Sequence, residues 1–135
     1  MEKYNEATIQ RPNGHRVIDG LIVNIDLPIL VEQIRKEKAW ECSDRNAVTI
    51  FKSNRMRIVL IALHKGAQML EHKTDDIISL QILDGQVQFN TIKQSAVLNK
   101  GQMITLHEGI PHSLLAIEET VFLLTLTPVA EGQRL

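Results

Sequence analysis

The segment Gly66-Ala-Gln-Met-Leu-Glu-His72-Lys-Thr74-Asp-Asp-Ile-Ile78-Ser-Leu-Gln-Ile-Leu-Asp-Gly85 decides how the chain is read. It ends in Ile77–Leu83 and is followed by Gln86–Ile92, two short apolar or alternating runs, with Asp84-Gly85, a strong hairpin signal, between them. The same texture extends outward on both sides. Ala47–Lys52, Met56–His64, Ala96–Leu98, Met103–Leu106, Ser113–Ile117 and Val121–Leu126 bring the total to eight runs, punctuated by Gly, Asn, Asp and Lys. Short strands at this spacing predict an all-β, antiparallel sandwich or small barrel over residues 41–128.

Upstream the pattern changes. Leu27, Leu30, Val31 and Ile34 fall at i, i+3, i+4 and i+7, the stripe of an amphipathic helix, placed over residues 27–40. Asp26 can cap it, Pro28 is tolerated in its first turn, and Glu32 and Lys36 form a favourably ordered pair. Residues 1–26 read as an N-terminal arm with a turn at Arg11-Pro12-Asn13-Gly14, and 129–135 as a tail. Within the arm, Val17–Ile25 could add or exchange a strand.

At 135 residues the chain fits one domain. Its 44% apolar and 23% charged content is that of an ordinary globular protein. Fifteen basic against sixteen acidic residues leave no surplus to neutralise phosphates, which argues against nucleic acid as a partner. The longest apolar run, Ile58–Leu63, is six residues, far below the ~20 of a membrane span. No apolar signal centre fits among the first twenty residues, so a cytoplasmic location is expected. The single cysteine, Cys42, excludes an internal disulfide and reads as a small buried or half-buried side chain.

The Gly66–Gly85 segment, together with Gly101-Gln-Met-Ile-Thr-Leu-His107-Glu-Gly109-Ile-Pro111-His112-Ser-Leu-Leu-Ala116, resembles the two signature motifs of the cupin superfamily. Both glycine frames and the Gly-Ile-Pro-His turn fit. The resemblance covers residues 45–128 and implies a jelly-roll β-barrel of the RmlC-like kind. It also implies a divalent transition metal held by three histidines and a glutamate. His72 matches the first histidine and His112 the third, while Thr74 stands at the second and Ile78 at the glutamate. His107 replaces a usual proline, and Ala116 a usual asparagine.

With position 78 facing the interior, as the resemblance implies, Leu80 and Ile82 face inward too. Leu114 and Ala116 share the inward parity of His112. The expected pocket is therefore apolar, lined by Ile78, Leu80, Ile82 and Leu114, with His72, Thr74 and His112 as its polar cluster. Such a pocket suits a small-molecule ligand. Three readings follow. One is a small-molecule-binding cupin-like protein with a degenerate or absent metal site. A second is a metal-dependent enzyme of dioxygenase or isomerase type, using His72 and His112 with His107 or His64 recruited as a further ligand. The third is a non-catalytic scaffold, and a homodimer is expected. His64 itself reads as a rim residue, with a fourth pocket imidazole as its alternative.

Overall fold

A computed structural model describes residues 2–5 and 16–129 of the chain. The tail expected over 129–135 lies outside these residues apart from Val129. Within the arm, β1 (Lys3–Asn5) pairs antiparallel with β2 (Arg16–Asp19). The arm turn at residues 11–14 falls outside the described residues.

Two helices follow where the apolar stripe predicts one. Helix α1 (Leu27–Ile34) starts as expected, with the Asp26 carboxylate accepting from the Ile29 N–H and Pro28 in the first turn. The expected Glu32–Lys36 pair forms, at 2.7 Å. The helix then stops at Ile34, and a second short helix, α2 (Lys38–Cys42), begins after Glu37, whose backbone is extended. A buried polar knot causes the break. Asn46 Nδ2 donates to the Ile34 carbonyl and to Glu37 Oε1, both at 2.9 Å, and Gln33 Nε2 donates to Glu37 Oε2 at 3.1 Å. The knot satisfies an orphan helix-end carbonyl, and the turn it holds lets α2 bury Trp40. Cys42, two positions further round α2, is exposed, against the expectation of burial.

Nine further strands follow among the described residues. They are β3 (Arg45–Lys52), β4 (Arg57–Leu63), β5 (Gln68–His72), β6 (Asp76–Asp84), β7 (Gln86–Thr91), β8 (Ser95–Asn99), β9 (Met103–Leu106), β10 (His112–Ala116) and β11 (Thr120–Pro128). A five-stranded sheet, β3-β4-β11-β6-β9, faces a four-stranded sheet, β5-β10-β7-β8, and every pairing is antiparallel. This is the mainly β jelly roll the motifs imply.

Asp84-Gly85 does not close a hairpin. Strand β6 pairs with β9 and β11, and β7 with β8 and β10, so Gly85 is the corner where the chain passes from one sheet to the other. Its φ of +95° gives the sharp change of direction that only glycine adopts without strain.

The five-stranded sheet is buried on both faces. Between the sheets, Ile61, Leu80, Ile82, Val87, Phe89, Leu114 and Phe122 form the barrel core. On the outer face, Leu60, Ala62 and Val121 pack with Val48, Ile34 and Trp40, closing the layer of α1 and α2. Burying each large apolar side chain contributes about 1.5–3 kcal/mol before entropy is counted. The arm is tied on by Arg16, whose guanidinium donates to the Thr49 carbonyl at a β-bulge in β3. No helix among the described residues is long and apolar enough to cross a membrane.

Candidate functional site

Register builds the barrel interior in rungs. Across β4-β11-β6, Ile61–Phe122–Ile82 is followed by Val59–Leu124–Leu80 and then by Arg57–Leu126–Ile78. Across β7-β10-β5, Phe89–Leu114–Met69 is followed by Thr91–His112–His72. Exposure rises along this series. Phe122 and Ile82 are fully buried, whereas Arg57 and His72 are exposed. The barrel is thus closed at one end and open at the other, and a cavity of about 370 Å³ occupies the open half. Val59, Ile61, Leu80, Leu114 and Phe122 are among its walls, and its polar groups, Arg57, His72, Thr74, Asp76, His112 and Ser113, belong to the rungs and turns of the open end.

The expected pocket residues Thr74, Ile78, Leu80 and Leu114 line this cavity with His72 and His112. Ile82 does not, because the Phe122 ring beside it already fills the closed end. Arg57, Asp76, Met69 and Phe89 also line it, although sequence reasoning did not select them. Arg57 and Asp76 were nonetheless legible: each continues the inward parity of its strand, Arg57 with Val59 and Asp76 with Ile78.

A bulge aims His72. Three steps of β5, from Met69 to His72, span the same stretch of ladder as the two steps from Leu114 to His112 in β10. Met69 packs into the core, Leu70 and Glu71 are exposed, and His72 returns to the cavity. Strict alternation from Met69 would have turned Glu71 inward instead.

His72 and His112 face each other across the ladder, with ring centroids 4.4 Å apart and planes tilted by 57°. Phe89 stacks on the His112 ring at 5.5 Å. His72 Nδ1 lies 3.0 Å from the Leu70 carbonyl, and His112 Nδ1 2.9 Å from the Ile110 carbonyl. The two carrier loops are joined, since the Gly109 N–H donates to the Thr74 carbonyl at 2.8 Å and the Asp76 N–H to Thr74 Oγ1 at 3.1 Å.

Burial pushes the His112 pKa below the ordinary histidine value. The nearby His72 adds to this, and the Ile110 carbonyl opposes it. Thr74, Arg57 and Asp76 share the cavity. Because the folded-state value lies below the unfolded one, the unfolded chain takes up this proton first as pH falls below about 6.5. Stability is therefore fully present above that pH and falls below it, until folded His112 is itself protonated. Asp84, held low by Arg35, contributes in a separate window below about pH 4. Urea midpoints measured against pH should show the upper loss in the parent chain and its absence in His112→Gln. An unchanged slope in that variant would sink the assignment.

The other histidines lie elsewhere. His64 stacks on Trp40 with centroids 3.4 Å apart, and its Nε2 lies 3.0 Å from the Trp40 carbonyl. It follows β4 onto the helix side of the sheet and does not line the cavity. His107 is exposed on the loop after β9 and does not line it either. Neither completes the pair as the sequence allowed.

The motif resemblance implies a metal, and the side chains present decide whether one fits. The cavity offers two imidazoles, while Thr74 and the apolar Ile78 stand where two ligands would be needed. Among the described residues no group of three or more His, Cys, Asp or Glu side chains could hold a metal ion. Resident metals in proteins are generally held by three or more protein ligands, so this donor set does not fit one.

No family model and no curated protein matches the chain. Solved structures do. A conserved protein of unknown function from Streptococcus pyogenes is 25% identical with a TM-score of 0.60, over 63% of this chain and 75% of that one. A cupin superfamily protein from Desulfitobacterium hafniense is 15% identical with a TM-score of 0.61, over 63% and 78%. An RmlC-like cupin from Shewanella frigidimarina is 17% identical with a TM-score of 0.61, over 65% and 79%. Strand order, glycine frames and these likenesses agree: this chain has the jelly-roll fold seen in cupin superfamily proteins.

Proposed function

We propose that this chain binds a small, mostly apolar molecule inside its barrel, anchored by His72 and His112 and without a resident metal. One observation carries the reading: an apolar cavity of about 370 Å³, within the usual range for small-molecule sites, opens where two oriented imidazoles converge. The metal-dependent enzyme reading lacks its third ligand, and a barrel packed solid, as the scaffold reading requires, would leave no such space.

A homodimer is our expectation for the assembly. Leu21 and Ile22 stand 99% and 87% exposed beside β2, the kind of surface a second copy would cover. The exposed lone thiol of Cys42 suits a reducing compartment such as the cytoplasm.

Native mass spectrometry of chain purified without chelator reads ligand, metal and assembly together. The expected spectrum shows an organic adduct released on denaturation, on a dimeric mass. About one transition metal per chain, lost in His72→Ala, would overturn the metal-free reading. A bare chain leads to thermal melting against a library of small apolar compounds. A ligand at 100 times its Kd should add about 2.7 kcal/mol of stability. A library that never raises Tm would count against binding.

A further inference from the structure

The two imidazoles at the cavity mouth are each committed to one tautomer, and that commitment selects the ligand's chemistry. A carbonyl oxygen can only accept a hydrogen bond. The Leu70 and Ile110 carbonyls, 3.0 and 2.9 Å from the Nδ1 atoms of His72 and His112, therefore place the ring hydrogen on Nδ1 in both residues. Each neutral ring is left with a bare lone pair on Nε2. No other hydrogen bond to either ring exists among the described residues.

Two rings 4.4 Å apart thus each bring an acceptor nitrogen to the open end of a mostly apolar cavity. His112 is only 6% exposed, and Phe89 covers one face of its ring. A third acceptor, the Asp76 carboxylate, lines the same cavity. A ligand lacking a donor would strip water from these atoms and return nothing, at the cost of a buried unpaired acceptor. A carboxylate head would put negative charge near Asp76 and a lone pair against a lone pair at each Nε2. The groups that oppose this are the hydroxyls of Thr74 and Ser113 and the guanidinium of Arg57, which lines the cavity but is exposed.

Building on the binding reading above, we propose that the site selects apolar molecules bearing a hydroxyl group, which donates to imidazole Nε2, over matching ethers and carboxylates. The apolar body lies against Leu80, Leu114 and Phe122, and the hydroxyl sits at the His72–His112 pair. Discrimination of this kind is steep, because a site built to receive a donor is left with unpaired acceptors by an analogue without one.

Fluorine NMR titration with para-fluorophenol, para-fluoroanisole and para-fluorobenzoate tests this directly. Chelator is present, and the pH is held at ~8 so that ordinary imidazoles are neutral. The expected result is a Kd for the phenol about tenfold or more below that of the anisole, the ratio one net hydrogen bond supplies. The benzoate should be weakest. In His72→Leu, a change at an exposed strand position, the phenol-to-anisole ratio should fall toward one. His112→Leu should do the same if it folds. Equal binding of phenol and anisole, or a ratio that survives His72→Leu, overturns the proposal. Tightest binding by the benzoate, abolished in Arg57→Leu, replaces it with an anion site. If no probe binds although the purified chain carries an organic adduct, the hydroxyl inference fails alone. With no adduct, no probe binding and no library compound that raises Tm, the small-molecule reading fails with it.

Discussion

Gly85→Ala is expected to cost the fold about 3 kcal/mol or more, enough to leave much of the chain unfolded at moderate temperature. Two penalties combine at this corner. A φ of +95° costs an L-residue about 1–2 kcal/mol. The added Cβ would also meet the Glu119 carbonyl oxygen at 2.3 Å, Thr120 Oγ1 at 2.5 Å and Thr120 Cα at 2.7 Å. Two of these are backbone atoms, and their surroundings hold them. The fully buried Thr120 accepts at Oγ1 from the Gln86 N–H at 3.1 Å and lies 2.8 Å from the Glu118 carbonyl. Arg35 then ties α1 to both sides of the corner, to Asp84 at 2.8 Å and Glu119 at 3.3 Å. Gly66→Ala isolates the dihedral penalty, since Gly66 has a φ of +87° but no atom within 4 Å of an added Cβ. It should cost about 1 kcal/mol. Denaturant unfolding of the two variants reads the difference, and equal losses would mean the corner is not sterically closed.

The same corner shows where sequence reading stops. Strand texture was legible because alternation and turn residues are local properties. The closure of the motifs by Gly66, Gly85, Gly101 and Gly109 was legible too, and all four have positive φ. Which sheet a strand joins is not local. Asp84-Gly85 satisfies the chemistry of a hairpin and of a sheet-to-sheet corner alike, and only the pairing of β7 with β10 decides between them. The split helix has the same origin. The stripe from Leu27 to Ile34 says nothing of Asn46, twelve residues on, whose amide caps the Ile34 carbonyl and holds Glu37 out of the helix.

At the site, the resemblance singled out His72 and His112, and parity supplied most of the apolar wall. Parity counted from His72 turns Glu71 outward, as observed, but would also have turned Met69 outward, because the β5 bulge leaves no mark in the sequence. His64 could be a rim or a pocket residue on sequence grounds. The stacking partner that draws it away, Trp40, lies in a helix the periodicity did not separate.

Phe122→Ala should destabilise the chain by about 3–5 kcal/mol, the range for emptying a large buried aromatic site. Phe122 is fully buried at the middle of its sheet, between Ile61 and Ile82, and its neighbours are strand residues that cannot collapse into the space. The effect goes beyond stability, because this ring also closes the inner end of the cavity. Removing it would join its volume to the existing space of about 370 Å³ and lengthen the pocket toward the closed end. Compounds with a second ring, too long for the parent barrel, should then bind the variant more tightly than the parent, while single-ring phenols lose affinity. The milder Phe122→Leu keeps the chain folded should the alanine variant fail, and it should shift both properties in the same direction by less. Denaturant unfolding reads the first effect and titration with one- and two-ring phenols the second. A large loss of stability with no change in size preference would mean the ring supports the sheet without bounding the site, and the floor of the cavity would have to be sought at Ile61 and Leu80.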